Sequence, residues 1–266
     1  MNQKLIAIDL DGTTLNDHSQ LTPRTISTLE SIQKDGHIVM IATGRPYRNS
    51  KEFYDTLKLT SPLVNFNGAL CHFPDKKDFY HKTLDLDLVM DLLDYQEELG
   101  VDWISVEGKK QLYATYKDIP VSEFYPKNTK STFISTETKL DERPTALSLF
   151  MDEDKQEIVR TRIIEKYGNE LSIRTWGGKL PCLEIVAPGI QKALGVDEVA
   201  RFYNIDRQNI LAFGDEDNDM EMIDYAGHGV VMTNGIPTLK KIANDITEFT
   251  NDQDGLAIYL EKYFSL

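Results

Sequence analysis

Short apolar runs recur in the amino-terminal part of the chain, and each stops at a turn of small or polar residues. Two of these runs cover residues 5–8 and 38–42, and the segment between them begins at Thr22 and Pro23 and carries apolar residues three positions apart. Runs rich in β-branched residues predict buried strands, whereas a spacing of three predicts one apolar helix face. The order strand, helix, strand predicts a right-handed parallel unit.

The carboxyl-terminal part of the chain has the same character. Apolar runs at residues 210–213, 229–232 and 246–249 predict short strands with helices between them, and residues 63–66 supply one more strand nearer the amino end. Both ends of the chain are therefore typical of an α/β fold, in which strands and helices alternate around a parallel sheet.

The middle of the chain has a different pattern. An amphipathic helix is predicted over residues 84–99, strands with hairpin spacing at 103–106 and 112–116, and a mixture of loop and helix over the polar residues 122–143. The remaining predicted elements are a strand at 145–151, a helix at 155–167 and strands at 171–176 and 182–187. This pattern predicts a small α+β domain.

We therefore predict a doubly wound α/β core with a parallel sheet, formed by residues 1–83 and 188–266, and an inserted α+β domain formed by residues 84–187. The net charge of −14 argues against nucleic acid and anionic membranes as partners, because both attract clustered Lys and Arg. In the absence of an apolar stretch of about 18 residues, we expect a cytoplasmic protein without a membrane span, either a monomer or a homodimer.

Two carboxylates one residue apart, Asp9 and Asp11, follow the first predicted strand. Ligands of open α/β sheets bind just outside the carboxyl ends of the strands. Two close anionic groups repel unless a proton or a cation such as Mg²⁺ separates them, and one Asp can attack phosphorus while the other passes a proton. The alternative interpretation of this pair is a solvated acidic turn in which Gly12 supplies the bend.

Three further segments carry polar residues at comparable places. Thr43 and Gly44 follow the second strand, where a hydroxyl and a backbone N–H group can hold phosphate oxygens at a helix start. Lys192 lies near another predicted helix start, and the acidic residues 214–219 follow the strand at 210–213 and offer oxygen ligands to a hard cation. Taken singly, these segments are also compatible with a helix cap, a solvated lysine and a solvated loop.

In chain order the four segments are Asp-x-Asp-Gly-Thr, Thr-Gly-Arg, one Lys and Gly-Asp-x-x-Asn-Asp. This pattern resembles the haloacid dehalogenase (HAD) superfamily of phosphatases, and the long insertion between Thr43 and Lys192 resembles its Cof-type IIB subgroup of sugar-phosphate phosphatases. The resemblance covers the predicted core and implies that the inserted domain is a cap that sets specificity. It also implies Mg²⁺-dependent hydrolysis of a small phosphorylated metabolite, with sugar phosphates as the favoured class, through an aspartyl-phosphate.

The resemblance implies roles for individual residues. Asp9 matches the nucleophile, and Asp11 matches the general acid and base. The implied Mg²⁺ ligands are Asp9, the backbone carbonyl of Asp11, and Asp215, with Asp219 behind them. The implied phosphate and substrate contacts are Leu10, Thr43, Gly44, Arg45, Lys192 and Asn218.

Two other activities fit parts of the same pattern. A sugar phosphomutase would return the phosphoryl group to another hydroxyl, and a non-catalytic sugar-phosphate-binding regulator would need only the phosphate site. The pair Asp9 and Asp11 argues against the regulator, because binding alone needs no acid two residues after a nucleophile. Ala193 stands where the family usually has Gly, so we expect a local difference at the helix start beside it.

Overall fold

A computed structural model describes residues 3–74, 76–122, 125–135, 138–176 and 179–266. The strands are β1 (Leu5–Ile8), β2 (Ile38–Ile41), β3 (Leu63–Asn65), β4 (Leu70–His72), β5 (Asp78–His81), β6 (Trp103–Glu107), β7 (Leu112–Ala114), β8 (Thr132–Phe133), β9 (Ala146–Phe150), β10 (Ser172–Trp176), β11 (Cys182–Val186), β12 (Ile210–Gly214), β13 (His228–Val231) and β14 (Asp245–Ile246). The α-helices are α1 (Pro23–Lys34), α2 (Tyr47–Thr56), α3 (Leu86–Asp94), α4 (Gln96–Leu99), α5 (Glu153–Tyr167), α6 (Lys192–Phe202), α7 (Met220–Tyr225), α8 (Pro237–Lys240) and α9 (Gly255–Phe264).

The chain divides into two compact units. The first is built from Met1–Arg45, Asn49–Tyr80 and Gln191–Leu266, and the second from Pro46–Arg48 and His81–Ile190. Each unit has its own sheet and its own buried apolar cluster.

The first unit is organised around a parallel sheet with the strand order β14-β13-β12-β1-β2. Strand β1 lies between β12 and β2, so that Leu5 is opposite both Ile210 and Ile38. All four residues of β1 are fully buried, as expected for a strand of a parallel sheet that is covered on both faces. The predicted α/β fold with a parallel sheet is confirmed.

Helix α1 shows how local sequence sets an element of this unit. The hydroxyl of Thr22 accepts the N–H of Thr25 at 3.1 Å, and Pro23 occupies the first position, where its missing N–H group costs nothing. The helix ends at Lys34, and Gly36 then adopts a positive φ of 86°. The predicted helix, including its start and its end, is confirmed.

One strand prediction in the first unit needs correction. The strand predicted at 63–66 is confirmed as Leu63–Asn65, and it belongs to a separate sheet of β3, β4 and β5, in which β3 and β4 are antiparallel and a bridge joins Val64 to Ala42, the residue after β2. The strand predicted at 246–249 is only Asp245–Ile246. Its pairing stops early because the Thr247 hydroxyl donates to the carbonyl of Phe249 and turns the chain.

The second unit contains a six-stranded, largely antiparallel sheet with the order β10-β11-β9-β6-β7-β8. Val89 and Leu92 of α3 and Val159 of α5 belong to one buried cluster with Ile104 and Leu147 of the sheet. A sheet with helices packed against it confirms the predicted α+β character of this region.

Two predictions for the second unit are wrong in detail. The single helix predicted over residues 84–99 is divided into α3 and α4 at Tyr95, which has a φ of −82° and a ψ of −6°. Within the described part of residues 122–143 there is strand β8 but no helix, because this stretch has no apolar periodicity. Residues 123–124 and 136–137 of that stretch lie outside the described residues.

The turn after β3 brings the chain back towards the carboxyl edge of the parallel sheet. Phe66, Asn67 and Gly68 all have positive φ, at 52°, 55° and 103°. The N–H of Asn67 donates to the carbonyl of Thr43 at 3.1 Å. A Cβ on Gly68 would lie 2.1 Å from the carbonyl oxygen of Gln191, so only glycine lets this turn approach the start of α6.

Every helix among the described residues is too short or too polar to span a membrane.

We expect Gly68→Ala to destabilise the protein much more than Gly36→Ala. Both glycines have positive φ, which costs alanine about 1 to 2 kcal/mol, but a Cβ on Gly36 would meet nothing within 4 Å. Overpacking against Gln191 brings the cost for Gly68→Ala to about 3 kcal/mol or more. Urea unfolding followed by circular dichroism measures the stability of both variants. Equal losses of unfolding free energy would contradict the close approach of Gly68 to Gln191.

Candidate active site

Three neighbouring strands end together at the carboxyl edge of the parallel sheet. The N–H of Asp9 donates to the carbonyl of Phe213 in β12 at 3.1 Å, and the N–H of Ala42 donates to the carbonyl of Ile8 in β1 at 2.9 Å. The residues that follow these strands, Asp9, Thr43 and Asp215, are therefore brought to one edge. This is where open α/β sheets bind their ligands.

Asp9 enters a single wide turn over Leu10–Thr14. The Thr14 hydroxyl donates to the carbonyl of Asp9, and the N–H of Leu15 donates to the carbonyl of Leu10 at 2.8 Å, which closes the turn. Gly12 has a φ of 70°, and a Cβ there would lie 2.1 Å from Oδ2 of Asp215. Glycine is thus required both for the bend and for the close approach of Asp215.

Lys192, the first residue of α6, holds two of the site carboxylates. Its Nζ lies 2.6 Å from Oδ1 of Asp9 and 2.7 Å from Oδ1 of Asp219, and its side chain is fully buried. Burial alone would lower the pKa of Lys192, but the charges of Asp219 and Asp9 more than offset burial, so its pKa rises. The ammonium group therefore stays charged inside the protein.

Asp219 connects this lysine to the loop after β12. Its Oδ2 accepts the N–H groups of Asp215 at 2.9 Å and Glu216 at 3.2 Å, while its Oδ1 accepts Lys192. Asp219 is completely buried. Its hydrogen bonds to these N–H groups and to Lys192 fix Asp215 relative to the ammonium group.

The carboxylates suit a hard divalent cation. One oxygen from each of Asp9, Asp215 and Asp219 can be chosen so that all lie within 4.8 Å of one another. Both oxygens of Asp219 accept N–H donors, whereas Oδ2 of Asp9 and Oδ2 of Asp215 accept no hydrogen bond from any residue that the structure describes. Carboxylate oxygens are the ligands that Mg²⁺ and Ca²⁺ prefer, so this buried cluster is able to bind a metal.

The electrostatics of the cluster also favour a cation. Burial raises the pKa of Asp9 well above its usual value, and the charges of Asp219, Asp215 and Asp11 raise it further, against the opposing charge of Lys192. Burial and then the charge of Asp219 raise the pKa of Asp215 to about 7. A bound cation would offset this repulsion and favour the ionised carboxylates.

Thr13 positions Asp215. Its hydroxyl donates to Oδ1 of Asp215 at 2.9 Å, and Thr13 is itself buried. This bond occupies Oδ1, so that Oδ2 of Asp215 is the oxygen left for a ligand. Thr13 was not among the predicted site residues, although it belongs to the Asp-x-Asp-Gly-Thr segment that the prediction used.

The Thr43 loop is braced by the turn after β3. The Thr43 hydroxyl accepts the N–H of Arg45 at 3.1 Å, and because α2 begins only at Tyr47, this bond closes a local turn and does not cap the helix. Nδ2 of Asn218 donates to Oδ1 of Asn67 at 2.9 Å, and a Cβ on Gly44 would lie 3.0 Å from the same oxygen. Asn67 therefore links the loop after β2 to the loop after β12.

The side chain of Asp11 is bound by Arg45 and is not part of the buried carboxylate cluster. Nε of Arg45 donates to its Oδ2 at 2.7 Å, and Nη2 of Arg45 donates to its Oδ1. The side chain of Asp11 is 44% exposed, whereas that of Arg45 is 7% exposed. From the sequence, Arg45 was predicted to contact the substrate. In the structure its guanidinium forms a salt bridge with Asp11, the predicted general acid.

Two asparagines that the sequence prediction missed support the turn after β1. Nδ2 of Asn234 donates to the carbonyl of Gly12 at 2.8 Å, and its Oδ1 accepts the N–H of Asn251 at 3.0 Å. Nδ2 of Asn251 donates to the carbonyl of Leu15 at 2.9 Å. The Asn234-Gly235 pair after the run at 229–232 was the available signal, because it follows another strand of the same sheet.

The last two predicted positions are Leu10 and Ala193. The side chain of Leu10 is fully buried in the core, so only its backbone is available to a ligand. Ala193 is 7% exposed and follows Lys192 in the first turn of α6, which begins directly after Gln191. The residue that replaces the usual Gly is thus accommodated within a regular helix.

Known proteins resemble this chain over nearly its whole length. Residues 6–260 match the family described as haloacid dehalogenase-like hydrolase. The chain is 38% identical to 5-amino-6-(5-phospho-D-ribitylamino)uracil phosphatase YitU of Bacillus subtilis over 265 residues, which cover 98% of each chain.

Solved structures share the whole fold. A haloacid dehalogenase-like hydrolase from Bacteroides thetaiotaomicron is 26% identical, with a TM-score of 0.86 and coverage of 99% of this chain and 100% of that one. A sugar phosphatase of HAD subclass IIB is 23% identical, with a TM-score of 0.79 and coverage of 99% of both chains.

We expect Asp215→Asn to stabilise the metal-free protein in a pH-dependent way. The pKa of Asp215 in the folded chain, about 7, exceeds the value of about 3.9 for an unfolded aspartate. The folded state therefore binds this proton more tightly, and ionisation costs folding free energy as the pH rises from about 4 to about 7. The variant should match the parent near pH 4 and exceed it by about 1 to 3 kcal/mol at pH 8.

Urea unfolding with a chelator present measures this difference, and Asp224→Asn at an exposed position is the control. In a separate series without the chelator, added Mg²⁺ should stabilise the parent and leave Asp215→Asn almost unchanged. A gap between variant and parent that does not grow with pH would contradict the assigned cause.

Proposed function

We propose that this chain, which belongs to the haloacid dehalogenase-like hydrolase family, hydrolyses phosphomonoesters of small metabolites through a phosphoryl group carried on Asp9. Membership of the family and the named phosphatase among its relatives make it a HAD-type phosphatase, as the resemblance in its sequence predicted. The observation that carries the proposal is the contact between the buried Lys192 ammonium and Oδ1 of Asp9, which orients that carboxylate at the carboxyl edge of the sheet.

In the first step, Oδ2 of Asp9 attacks phosphorus. Lys192 already engages Oδ1, so Oδ2 is the oxygen left to form the new bond. As this bond forms, the bond from phosphorus to the leaving oxygen breaks and its electron pair stays on that oxygen. Asp11 supplies the proton that the leaving oxygen takes up.

In the second step, water attacks the phosphorus of the aspartyl-phosphate. Asp11, now ionised, takes a proton from this water, and the bond between phosphorus and Oδ2 of Asp9 breaks. Inorganic phosphate leaves, Asp9 is again a carboxylate and Asp11 again carries its proton. The cycle therefore consumes one ester and one water and releases one alcohol and one phosphate.

The remaining residues orient the phosphoryl group. We assign this role to the hydroxyl of Thr43, the backbone N–H groups of Leu10 and Gly44, the ammonium of Lys192 and the amide of Asn218. Asp9, Asp215 and the backbone carbonyl of Asp11 would hold Mg²⁺. Asp219 would keep Asp215 in place by accepting its backbone N–H. When bound, Mg²⁺ neutralises negative charge on the phosphoryl oxygens.

The second unit is proposed to act as a cap that selects the substrate. On its sheet, Arg174, Glu184 and Ser148 occupy neighbouring register positions on three adjacent strands, and all three are partly exposed. Such a row offers both donors and acceptors to a hydroxylated ligand. Together with the phosphoribitylamino substrate named for YitU, this row favours phosphates of sugars and sugar alcohols.

We expect Asp9→Asn to abolish phosphate release while the fold survives. The amide is isosteric but cannot attack phosphorus, and the loss should reach at least about 10⁴-fold because no other group can form the intermediate. Phosphate release from an aryl phosphate with Mg²⁺ measures the effect, with Asp55→Asn at an exposed position as the control. Turnover close to that of the parent would refute the assignment of the nucleophile.

A panel of phosphorylated metabolites assayed with Mg²⁺ should give the highest kcat/KM for sugar and sugar-alcohol phosphates, including 5-amino-6-(5-phospho-D-ribitylamino)uracil. Free phosphate must be the product. An isomerised sugar phosphate without free phosphate would instead identify a phosphomutase.

A further inference from the structure

The carboxylate of Asp11 is held by a fork of two hydrogen bonds from Arg45. Nε donates to Oδ2 at 2.7 Å and Nη2 donates to Oδ1. Within the part of the chain that the structure describes, the side chain of Asp11 makes no other hydrogen bond or ion pair. Because this side chain is 44% exposed, packing does little to fix its rotamer, and the fork sets its orientation.

Arg45, in contrast, is fixed by its surroundings. Its N–H donates to the hydroxyl of Thr43 at 3.1 Å, and its carbonyl accepts Nδ2 of Asn65 at 2.8 Å. The centre of its guanidinium lies 5.3 Å from the ring centroid of Phe53, and Nη1 donates to the carbonyl of Asn49 at 3.4 Å. The half-exposed carboxylate of Asp11 is thus paired with the buried guanidinium of Arg45, which its own contacts hold in place.

We propose that Arg45 is a positioning residue for the general acid, acting through Asp11 and not as a contact to the phosphoryl group. The inference rests on the proposed roles of Asp9 and Asp11. The guanidinium directs two N–H groups at the one carboxylate that must deliver a proton to the leaving oxygen. One oxygen of Asp11 can keep its bond to the fork while the other carries the proton, so orientation is retained during transfer.

The chemistry of the leaving group makes the inference testable. The bond from phosphorus to the leaving oxygen breaks, and a sugar hydroxyl leaves well only if it takes up the proton of Asp11 as this happens. A nitrophenol leaves as a stable anion and needs this proton far less. A positioning defect at Asp11 must therefore slow alkyl phosphates selectively, whereas a lost phosphate contact must slow both classes alike.

The experiment compares the parent with Arg45→Met, Arg45→Lys, Asp11→Asn and the double variant Asp11→Asn with Arg45→Met. Each is assayed with Mg²⁺ on p-nitrophenyl phosphate and on the best sugar phosphate of the panel. We expect Arg45→Met to lower kcat for the sugar phosphate by about 10- to 100-fold and kcat for the aryl phosphate by less than about 3-fold. Arg45→Lys should recover part of the loss, and Asp11→Asn should show the same selectivity as Arg45→Met.

The double variant provides the decisive comparison. If Arg45 acts only through Asp11, then Arg45→Met causes no further loss on the sugar phosphate once Asp11→Asn is present. Arg24→Met is the matched control, because Arg24 makes the same fork to Glu261 at the surface, with Nε at 3.0 Å and Nη2 at 2.6 Å. It should leave both activities unchanged.

Thermal unfolding of every variant separates loss of the fold from loss of positioning. If Arg45→Met does not fold, the same cycle is carried out with Arg45→Lys, which keeps the charge and most of the stem. Equal losses on the two substrates, expressed mainly in KM and persisting beside Asp11→Asn, would overturn the inference and make Arg45 a phosphate contact. A folded parent that releases phosphate from neither substrate would refute the proposed function itself.

Discussion

One buried ammonium group, Nζ of Lys192, is the constraint on which the site depends. An isolated charge in a protein interior costs several kcal/mol, and Asp9 and Asp219 offset that cost at 2.6 and 2.7 Å. The contact to Asp9 joins residues 183 positions apart. The site therefore forms only when the first unit assembles from segments on both sides of the inserted one. Replacing Lys192 alone would leave two buried carboxylates without their cation, so a loss of activity in such a variant would not separate its proposed role in catalysis from its role in the fold.

The environments of Asp9 and Asp11 differ, and they suit the two proposed roles of these identical side chains. Asp9 is buried against an ammonium and two further carboxylates, which suits a nucleophile that also binds a metal. Asp11 is half exposed and paired with a single guanidinium, which suits a group that exchanges protons with substrate and water. Two residues of separation and the bend at Gly12 are enough to create this difference. The same bend admits Asp215 to the cluster.

Much of the core was predictable because its signals are local. The strand at 5–8 is an apolar run buried on both faces, and α1 carries its own start and stop signals. The order of the polar segments at strand ends then indicated the site. The break at Tyr95 and the early end of β14 were not predictable, since hydrophobic periodicity reports neither a single turn residue nor a local hydrogen bond such as that of the Thr247 hydroxyl.

The pairing of Arg45 with Asp11 was likewise hidden from the sequence. The two residues are 34 positions apart, and which carboxylate a buried arginine meets depends on how two loops come together at the sheet edge. Thr13 and Asn234 were missed for the same reason. Their partners, Asp215 and the carbonyl of Gly12, become neighbours only when the strands are in register.

The stereochemical course of hydrolysis at phosphorus tests the central claim most directly. A thiophosphate analogue of the substrate, made chiral at phosphorus with two oxygen isotopes, is hydrolysed in water labelled with the third isotope, and the configuration of the released thiophosphate is determined by nuclear magnetic resonance. Transfer to Asp9 followed by transfer to water comprises two in-line displacements, each with inversion, so the account predicts net retention. Net inversion would mean that water attacks the ester directly, and it would contradict a phosphoryl group carried on Asp9.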